Sequence, residues 1–279
     1  MATASVTVTR ARDLLARHGL RPRKGLGQHF LVDPNTVRKI VRLADIRPDD
    51  TVLEIGPGLG SLTVGLADVA ARVVALEVDA RMAGALSEVV GSLPNVDVLI
   101  GDAMHTDLAA LCEGPARLVS NLPYNLATPI VARVLDDVPS VGAGLVMVQR
   151  EIGRRWSAPP GSKTYGAISV KVAFHAVAEV VATVPPTVFL PPPKVGSVLV
   201  AFRRREEPPV DVADRDSFFA FVEAAFGHRR KTLRNTLAAA GWDRDAAERA
   251  LLAAEVDPGG RPEQLDLDAF ARVYRELAA

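Results

Sequence analysis

The chain has 279 residues, 48% of them hydrophobic, with 33 basic and 33 acidic side chains and no formal net charge. That length accommodates one large domain and one small one, each with a sizeable core, and the balanced charge confines any affinity for polyanions to local patches. A single cysteine, Cys112, excludes an internal disulfide and a multi-cysteine zinc site, the histidines show no metal-ligand spacing, and no apolar run approaches the ~18 residues of a membrane span.

The first nine residues, rich in Thr, Ser and Val, read as a flexible lead. Helical periodicity follows over residues 10–20 and 34–45, the second helix opening on Asp33-Pro34, a capping residue followed by Pro in the first turn. Thr51-Val52-Leu53-Glu54-Ile55 then reads as an apolar strand that runs into Gly56-Pro57-Gly58-Leu59-Gly60. Glycines in such a turn tolerate positive φ and let the backbone approach a ligand. The spacing is Gly-x-Gly-x-Gly, one place short of the dinucleotide fingerprint, which counts against a nicotinamide cofactor.

The second strand, Arg72 to Leu76, ends in Glu77, an acid at the distance from the first glycine, about 20 residues, where a ribose diol is held. A third, Val96 to Ile100, leads into Gly101-Asp102-Ala103-Met104, in which Asp102 can accept from an adenine amino group and Ala103 can donate its backbone N–H to the ring. After a fourth, Ala116 to Ser120, comes Asn121-Leu122-Pro123-Tyr124. The Asn121 side-chain oxygen and the Pro123 carbonyl can accept from an exocyclic amine while Tyr124 offers a stacking face. Strands alternate with helices to about residue 150, as in a parallel sheet. Beyond lie a buried strand at Val141–Val148, a helix from Gln149 to Trp156, a Pro- and Gly-rich loop, and two further strands, Ser169–Phe174 and Ser197–Arg203, flanking Phe189-Leu190-Pro191-Pro192-Pro193. Glu206-Glu207-Pro208-Pro209 reads as a linker, and the remainder is helical. Basic residues gather at Arg10 to Lys24, at Arg203 to Arg205, and at Arg229, Arg230, Lys231 and Arg234; each group alone reads as a solvated face, but beside a base-binding loop all three point to RNA.

Four segments, Glu54-Ile55-Gly56-Pro57-Gly58-Leu59-Gly60, Leu76-Glu77-Val78-Asp79, Gly101-Asp102-Ala103-Met104 and Asn121-Leu122-Pro123-Tyr124-Asn125, resemble in order the motifs of the ribosomal RNA adenine dimethyltransferases of the KsgA type. So do Gly25 to Asp33 and Phe226 to Asn235, and the resemblance spans nearly the whole chain. It implies an α/β fold, a Rossmann-like class I methyltransferase sheet at residues 1–207, and a small all-helical C-terminal domain at 208–279 that binds RNA. It also implies S-adenosyl-L-methionine as cofactor, bound by His29, Leu31, Gly56, Gly58, Glu77, Asp102, Ala103 and Asn121, and catalysis by Asn121, Pro123 and Tyr124 with Phe189 as the second face of an aromatic sandwich. Arg229, Arg230, Lys231 and Arg234 are then an RNA-binding helix. His29 stands where many relatives carry Asn, which leaves its protonation state open. The implied substrate is a pair of adjacent adenines in a hairpin loop near the 3′ end of small-subunit rRNA. The small ribosomal subunit is then the partner, bound by a monomer; the lone cysteine and the lack of a signal-peptide pattern point to a cytoplasmic protein, with a transit peptide as the alternative for the lead, and the histidine spacing to one without a metal. Three alternatives stand beside this reading: the related large-subunit rRNA methyltransferase, which lacks the Arg-Arg-Lys-Thr-Leu-Arg-Asn segment; an NAD-dependent dehydrogenase; and a non-catalytic RNA-binding factor.

Overall fold

The structure is a computed structural model and describes residues 5–112, 114–228 and 231–278. It divides into two compact units, one formed by residues 1–153 and 179–204, the other by residues 154–178 and 205–279.

The first unit is built on seven strands, β2 (Thr51–Ile55), β3 (Arg72–Glu77), β4 (Val96–Ile100), β5 (Ala116–Asn121), β6 (Val141–Gln149), β7 (Ala176–Val184) and β9 (Ser197–Arg204), in the order β4-β3-β2-β5-β6-β9-β7. Strands β4, β3, β2, β5 and β6 are parallel, and β9 runs antiparallel to β6. Two short strands, β1 (Phe30–Leu31) and β8 (Phe189–Leu190), pair separately. Helices α1 (Val8–Arg17), α2 (Pro34–Leu43), α3 (Ser61–Ala67), α4 (Ala83–Val90), α5 (Leu108–Leu111) and α6 (Ala127–Asp137) alternate with the strands, and α7 (Arg150–Trp156) leaves the end of β6. The near-continuous apolar runs of β2 and β3 are what a sheet covered on both faces demands. Helix α2 starts as expected at Pro34, with the Asp33 side chain accepting from the backbone N–H groups of Asn35 and Thr36.

The sheet order reverses between β2 and β5, and there the ladder stops early. The strands pair only from Thr51–Ala116 to Leu53–Leu118. Beyond that point the buried Ile55 N–H donates instead to Ser120 Oγ at 2.8 Å. The hydroxyl therefore substitutes for a ladder partner, so the strands diverge without leaving a buried donor unpaired. Helix α6, which follows β5, is tied down at its far end by Arg204, whose guanidinium donates to the carbonyls of Val134, Leu135, Val138 and Val141.

The second unit packs α8 (Ala167–His175), α9 (Arg215–Phe226), α10 (Leu233–Ala239), α11 (Arg244–Ala253) and α12 (Leu267–Ala278) around an aromatic core that includes Phe218, Phe221 and Phe270. Tyr165, Val170 and Phe174 belong to this same core. Residues 154–178 thus fall in the helical unit, and the division lies at 204/205 where the sequence places it at 207/208.

Three expectations are corrected here. Ser169–Phe174 forms part of helix α8, and the strand is the following Val-rich segment, β7. Its Ser-Val-Lys-Val-Ala-Phe alternation imitates a strand, but Ser169, Val170, Val172 and Phe174 are all buried, and Ser169 Oγ accepts the Gly166 N–H at 3.1 Å as a helix-start cap. The described part of the lead is structured: Val6 is buried in the cluster that includes Leu14 and Leu86, and α1 begins at Val8. Arg204 faces inward and is not part of a phosphate-binding triplet.

Ser120→Ala should lower stability by about 1–3 kcal/mol, the cost of an unpaired buried N–H, with the same urea dependence. Chemical denaturation measures it, and an unchanged midpoint would show that Ile55 finds another acceptor.

Candidate active site

The divergence of β2 and β5 opens a cleft lined by the Leu26–Leu31 segment, Glu54, the Gly56–Leu59 turn, Glu77 and the Asn121–Tyr124 loop. Three glycines of the turn carry the chain through positive φ, Gly56 at 77°, Gly58 at 57° and Gly60 at 76°. At Gly58 a Cβ would also stand 2.9 Å from the Phe30 ring, so the turn and the β1 segment meet only because no side chain intervenes.

Acids dominate the floor. Glu77, at the end of β3, accepts the Gly58 N–H at 3.0 Å and the Asp79 N–H at 2.9 Å, one on each oxygen. Burial raises its pKa, an effect those two amides oppose. Glu54, in the middle of the buried strand β2, is 1% exposed. Burial pushes its pKa up to about 8; neighbouring Glu77 adds to the shift and the nearby Thr63 hydroxyl opposes it. Even so, Glu54 Oε2 and Thr63 Oγ1 have no well-formed hydrogen-bond partner. Asp79 differs, because the Arg81 guanidinium grips both its oxygens and holds its pKa down to about 2. Gln28 Nε2 also donates to Asp79, fastening the amino-terminal segment to the end of β3.

The opposite wall is polar and aromatic. Asn121 Nδ2 donates to the His29 carbonyl at 3.1 Å, which leaves Asn121 Oδ1 as an acceptor. The Pro123 carbonyl accepts the Leu126 N–H at 3.0 Å and keeps one lone pair. Tyr124 bonds through its hydroxyl to Ser197 Oγ at 2.6 Å, and its ring stacks on that of His29 at 5.5 Å between centroids. His29 Nδ1 lies 2.7 Å from the Pro191 carbonyl, and since a carbonyl only accepts, Nδ1 carries the proton.

The structure therefore gathers His29, Leu31, Gly56, Gly58, Glu77, Asn121, Pro123 and Tyr124 around one cleft. Asp102 and Ala103 stand outside that lining, at the end of the neighbouring strand, where the Gly101 N–H bonds the Glu77 carbonyl at 2.9 Å. Phe189 stands apart from the cleft lining: it pairs with Leu31 across β1 and β8, is 3% exposed, and belongs to the core cluster of Ile40, Val119 and Met147, while the ring stacked on Tyr124 is that of His29. The basic segment is also corrected: α10 begins at Leu233, and Arg234 is paired with Glu248 of α11 at 2.7 Å. Lys231 is exposed, and Arg229 and Arg230 lie outside the described residues. The sequence reading assigned no role to Gln28, Glu54, Ser197 or Arg133. Glu54 carried a signal, an acid flanked by apolar strand residues, whereas Ser197 and Arg133 carried none.

A parallel sheet with one inserted antiparallel strand and its cleft at the switch point defines a class I methyltransferase. The profile of the family described as ribosomal RNA adenine dimethylase matches residues 19–278, and the chain belongs to that family. Its enzyme class is accordingly rRNA adenine dimethyltransferase. Two proteins named ribosomal RNA small subunit methyltransferase A are similar along nearly their whole length. That of Kineococcus radiotolerans is 50% identical over 94% of this chain and 88% of its own, and that of Arthrobacter sp. (strain FB24) 49% over 94% and 90%. Among solved structures, the 23S rRNA methyltransferase ErmE superposes with a TM-score of 0.68 at 30% identity, covering 90% of this chain and 100% of its own. A dimethyladenosine transferase from Plasmodium falciparum gives 0.76 at 24% identity, over 90% and 98%, and bears on the fold alone. No helix among the described residues is long and apolar enough to cross a membrane.

Glu54 makes the unliganded fold pH-sensitive. Its pKa is raised on folding, from the ordinary 4.5 to about 8, so the folded protein holds a proton that the unfolded chain has released. The associated stability is complete below the lower value and is lost as pH rises through the upper one. Glu54→Gln should remove that loss, so its melting temperature should fall less than the wild type's across this window. Parallel curves would show that Glu54 does not carry the proton.

Proposed function

We propose that the cleft binds S-adenosyl-L-methionine and presents its methyl group to N6 of an adenine held by Asn121, Pro123 and Tyr124. The observation that carries this reading is the Asn121 side chain. Its amide nitrogen is committed to the His29 carbonyl, so its oxygen is aimed as a lone acceptor beside a tyrosine face. The cofactor also fits the wall opposite. It is a cation, and among the described residues the cleft lining holds two buried carboxyls and neither lysine nor arginine. One oxygen of Glu54 has no hydrogen-bond partner, and each Glu77 oxygen, though already accepting one amide, keeps lone-pair capacity for a ribose hydroxyl.

When bound, the cofactor supplies an electrophilic methyl group on a good leaving group. The protein's own work is then positioning and exclusion of water. Hydrogen bonds from the N6 protons to Asn121 Oδ1 and the Pro123 carbonyl concentrate the nitrogen lone pair away from the ring and toward the methyl carbon. Tyr124, fixed by Ser197, sets the plane of the base. A strong base is not required, because the N6 proton becomes acidic once nitrogen carries the new methyl. A second methylation needs one of the two N6 hydrogen bonds to be dispensable, and the Pro123 carbonyl, already shared with Leu126, is the candidate.

The small subunit is the favoured substrate, since the 49–50% identical relatives bear its name while the 23S enzyme is 30% identical. We infer two adjacent adenines in a 3′-terminal hairpin loop, where unstacked bases are extruded at low cost, modified during subunit assembly in the cytoplasm by a monomer. Asp102 and Ala103 complete the adenine end of the cofactor site. Lys231, with Arg229 and Arg230, supplies phosphate contacts.

Incubation with labelled cofactor and undermethylated ribosomal subunits, followed by nucleoside analysis, should yield N6,N6-dimethyladenosine from small-subunit RNA; label in large-subunit RNA alone would overturn the assignment. Asn121→Ala should cut single-turnover methyl transfer by at least about 100-fold with little change in cofactor affinity, since positioning acts in the transition state. A near-normal rate would refute the role of this side chain. Glu77→Gln should weaken cofactor binding about 10-fold in calorimetry, the worth of one charge-assisted hydrogen bond. Unchanged affinity in the folded variant would remove Glu77 from the site.

A further inference from the structure

We propose that Arg133 of α6 is a positioning residue for the cofactor's adenine, and that it mechanically joins the adenine loop at Asp102 to the methyl-acceptor loop at Asn121. The proposal rests on the reading above, in which Asp102 accepts from the adenine amino group. The peptide unit between Ala103 and Met104 is held at both ends. Its carbonyl accepts from Arg133 Nη1, and its N–H donates to Asp102 Oδ1 at 2.8 Å. The Asp102 carbonyl closes the same turn by accepting the N–H groups of His105 at 2.9 Å and Thr106 at 2.8 Å.

This arrangement aims a carboxylate. With Oδ1 committed to Met104, the Asp102 side chain has a defined rotamer, and Oδ2, on a side chain 41% exposed, is the oxygen left to receive an amine; the His105 ring approaches it no closer than 4.0 Å. Were the 103–104 peptide to rotate, Oδ1 would lose its donor and the carboxylate would swing away. Arg133 opposes that rotation. Its side chain is 23% exposed, and its Nε is held 3.3 Å from Asp137 one turn along the helix, so the guanidinium approaches Ala103 from a fixed direction. The other end of α6 grows out of the acceptor loop, where the Leu126 N–H bonds the Pro123 carbonyl at 3.0 Å. One helix thus references both the base that is to be methylated and the base that carries the methyl donor, and in-line transfer depends on that relative placement.

A merely structural arginine would weaken every ligand alike. A positioning arginine should weaken only the interaction it aims. The test is calorimetric binding of S-adenosylhomocysteine and of its inosine counterpart, in which the 6-amino group is a carbonyl, to wild type, Arg133→Met and Arg133→Lys. Wild type should prefer the adenine compound by about 10-fold or more. In Arg133→Met that preference should fall about 5-fold or more, through loss of adenine affinity and with the inosine compound changed less than about 2-fold; Arg133→Lys, which keeps a donor, should recover part of it. Equal losses for both compounds, or an intact preference in Arg133→Met, would overturn the proposal; if that variant fails to fold, an intact preference in Arg133→Lys with the Asp137→Asn change added would do so. A wild type with no preference would overturn the assignment of Asp102 together with the proposal, whereas tight binding of both compounds would leave the wider cofactor reading standing.

Discussion

Everything in the first unit follows from the parting of β2 and β5. A parallel ladder that continued to the strand ends would close the switch point and leave nowhere for a ligand. The ladder stops at Leu53–Leu118, and the divergence is tolerated because Ser120 Oγ takes the Ile55 N–H that the ladder no longer satisfies. The very next residue after that serine is Asn121. The side chain that permits the gap and the one proposed to hold the acceptor base in it are therefore one residue apart, on opposite faces of one strand.

The electrostatics of the gap depend on how its acids are paired. Asp79, clamped by Arg81 and Gln28, is a fixed charge that organises the turn after β3. Glu54 and Glu77 have no such cation among the described residues, and burial raises both. A buried carboxyl without a cation is costly to ionise, so the site is poised toward a positively charged occupant that would supply what the protein withholds. The same two residues would be poor partners for an anionic ligand. The glycine spacing, one place short of the dinucleotide register, accords with that preference.

Legibility from sequence followed the same physical lines. Strand ends were readable because apolar runs terminate in polar or glycine residues there, and Glu77, Asn121, Pro123 and Tyr124 stand where that pattern puts them. Ser169–Phe174 was misread because a helix buried on several sides loses its 3.6-residue signature and an accidental alternation remains. Arg204 and Arg234 looked like members of basic patches, but a guanidinium also caps helix carbonyls or pairs with a carboxylate, and composition cannot distinguish these roles. Arg133 and Ser197 were invisible because their significance lies in partners 30 and 73 residues away.

The aromatic pair shows why the antiparallel strand matters to the site. Tyr124 sits on a loop, where a ring would ordinarily sample several rotamers, yet its hydroxyl is pinned to Ser197, fully buried at the start of β9. Ser197 is placed by its pairing with Gln149 at the end of β6. On the ring's other side His29 is fixed by the Pro191 carbonyl, and Pro191 immediately follows β8, whose pairing with β1 also draws Phe189 into the core. The platform is thus held from two directions by segments that flank the same proline-rich connection. Burying Phe189 is consistent with function rather than opposed to it: the ring anchors β8 against Leu31, that anchorage sets Pro191, and Pro191 orients the histidine that stacks on Tyr124.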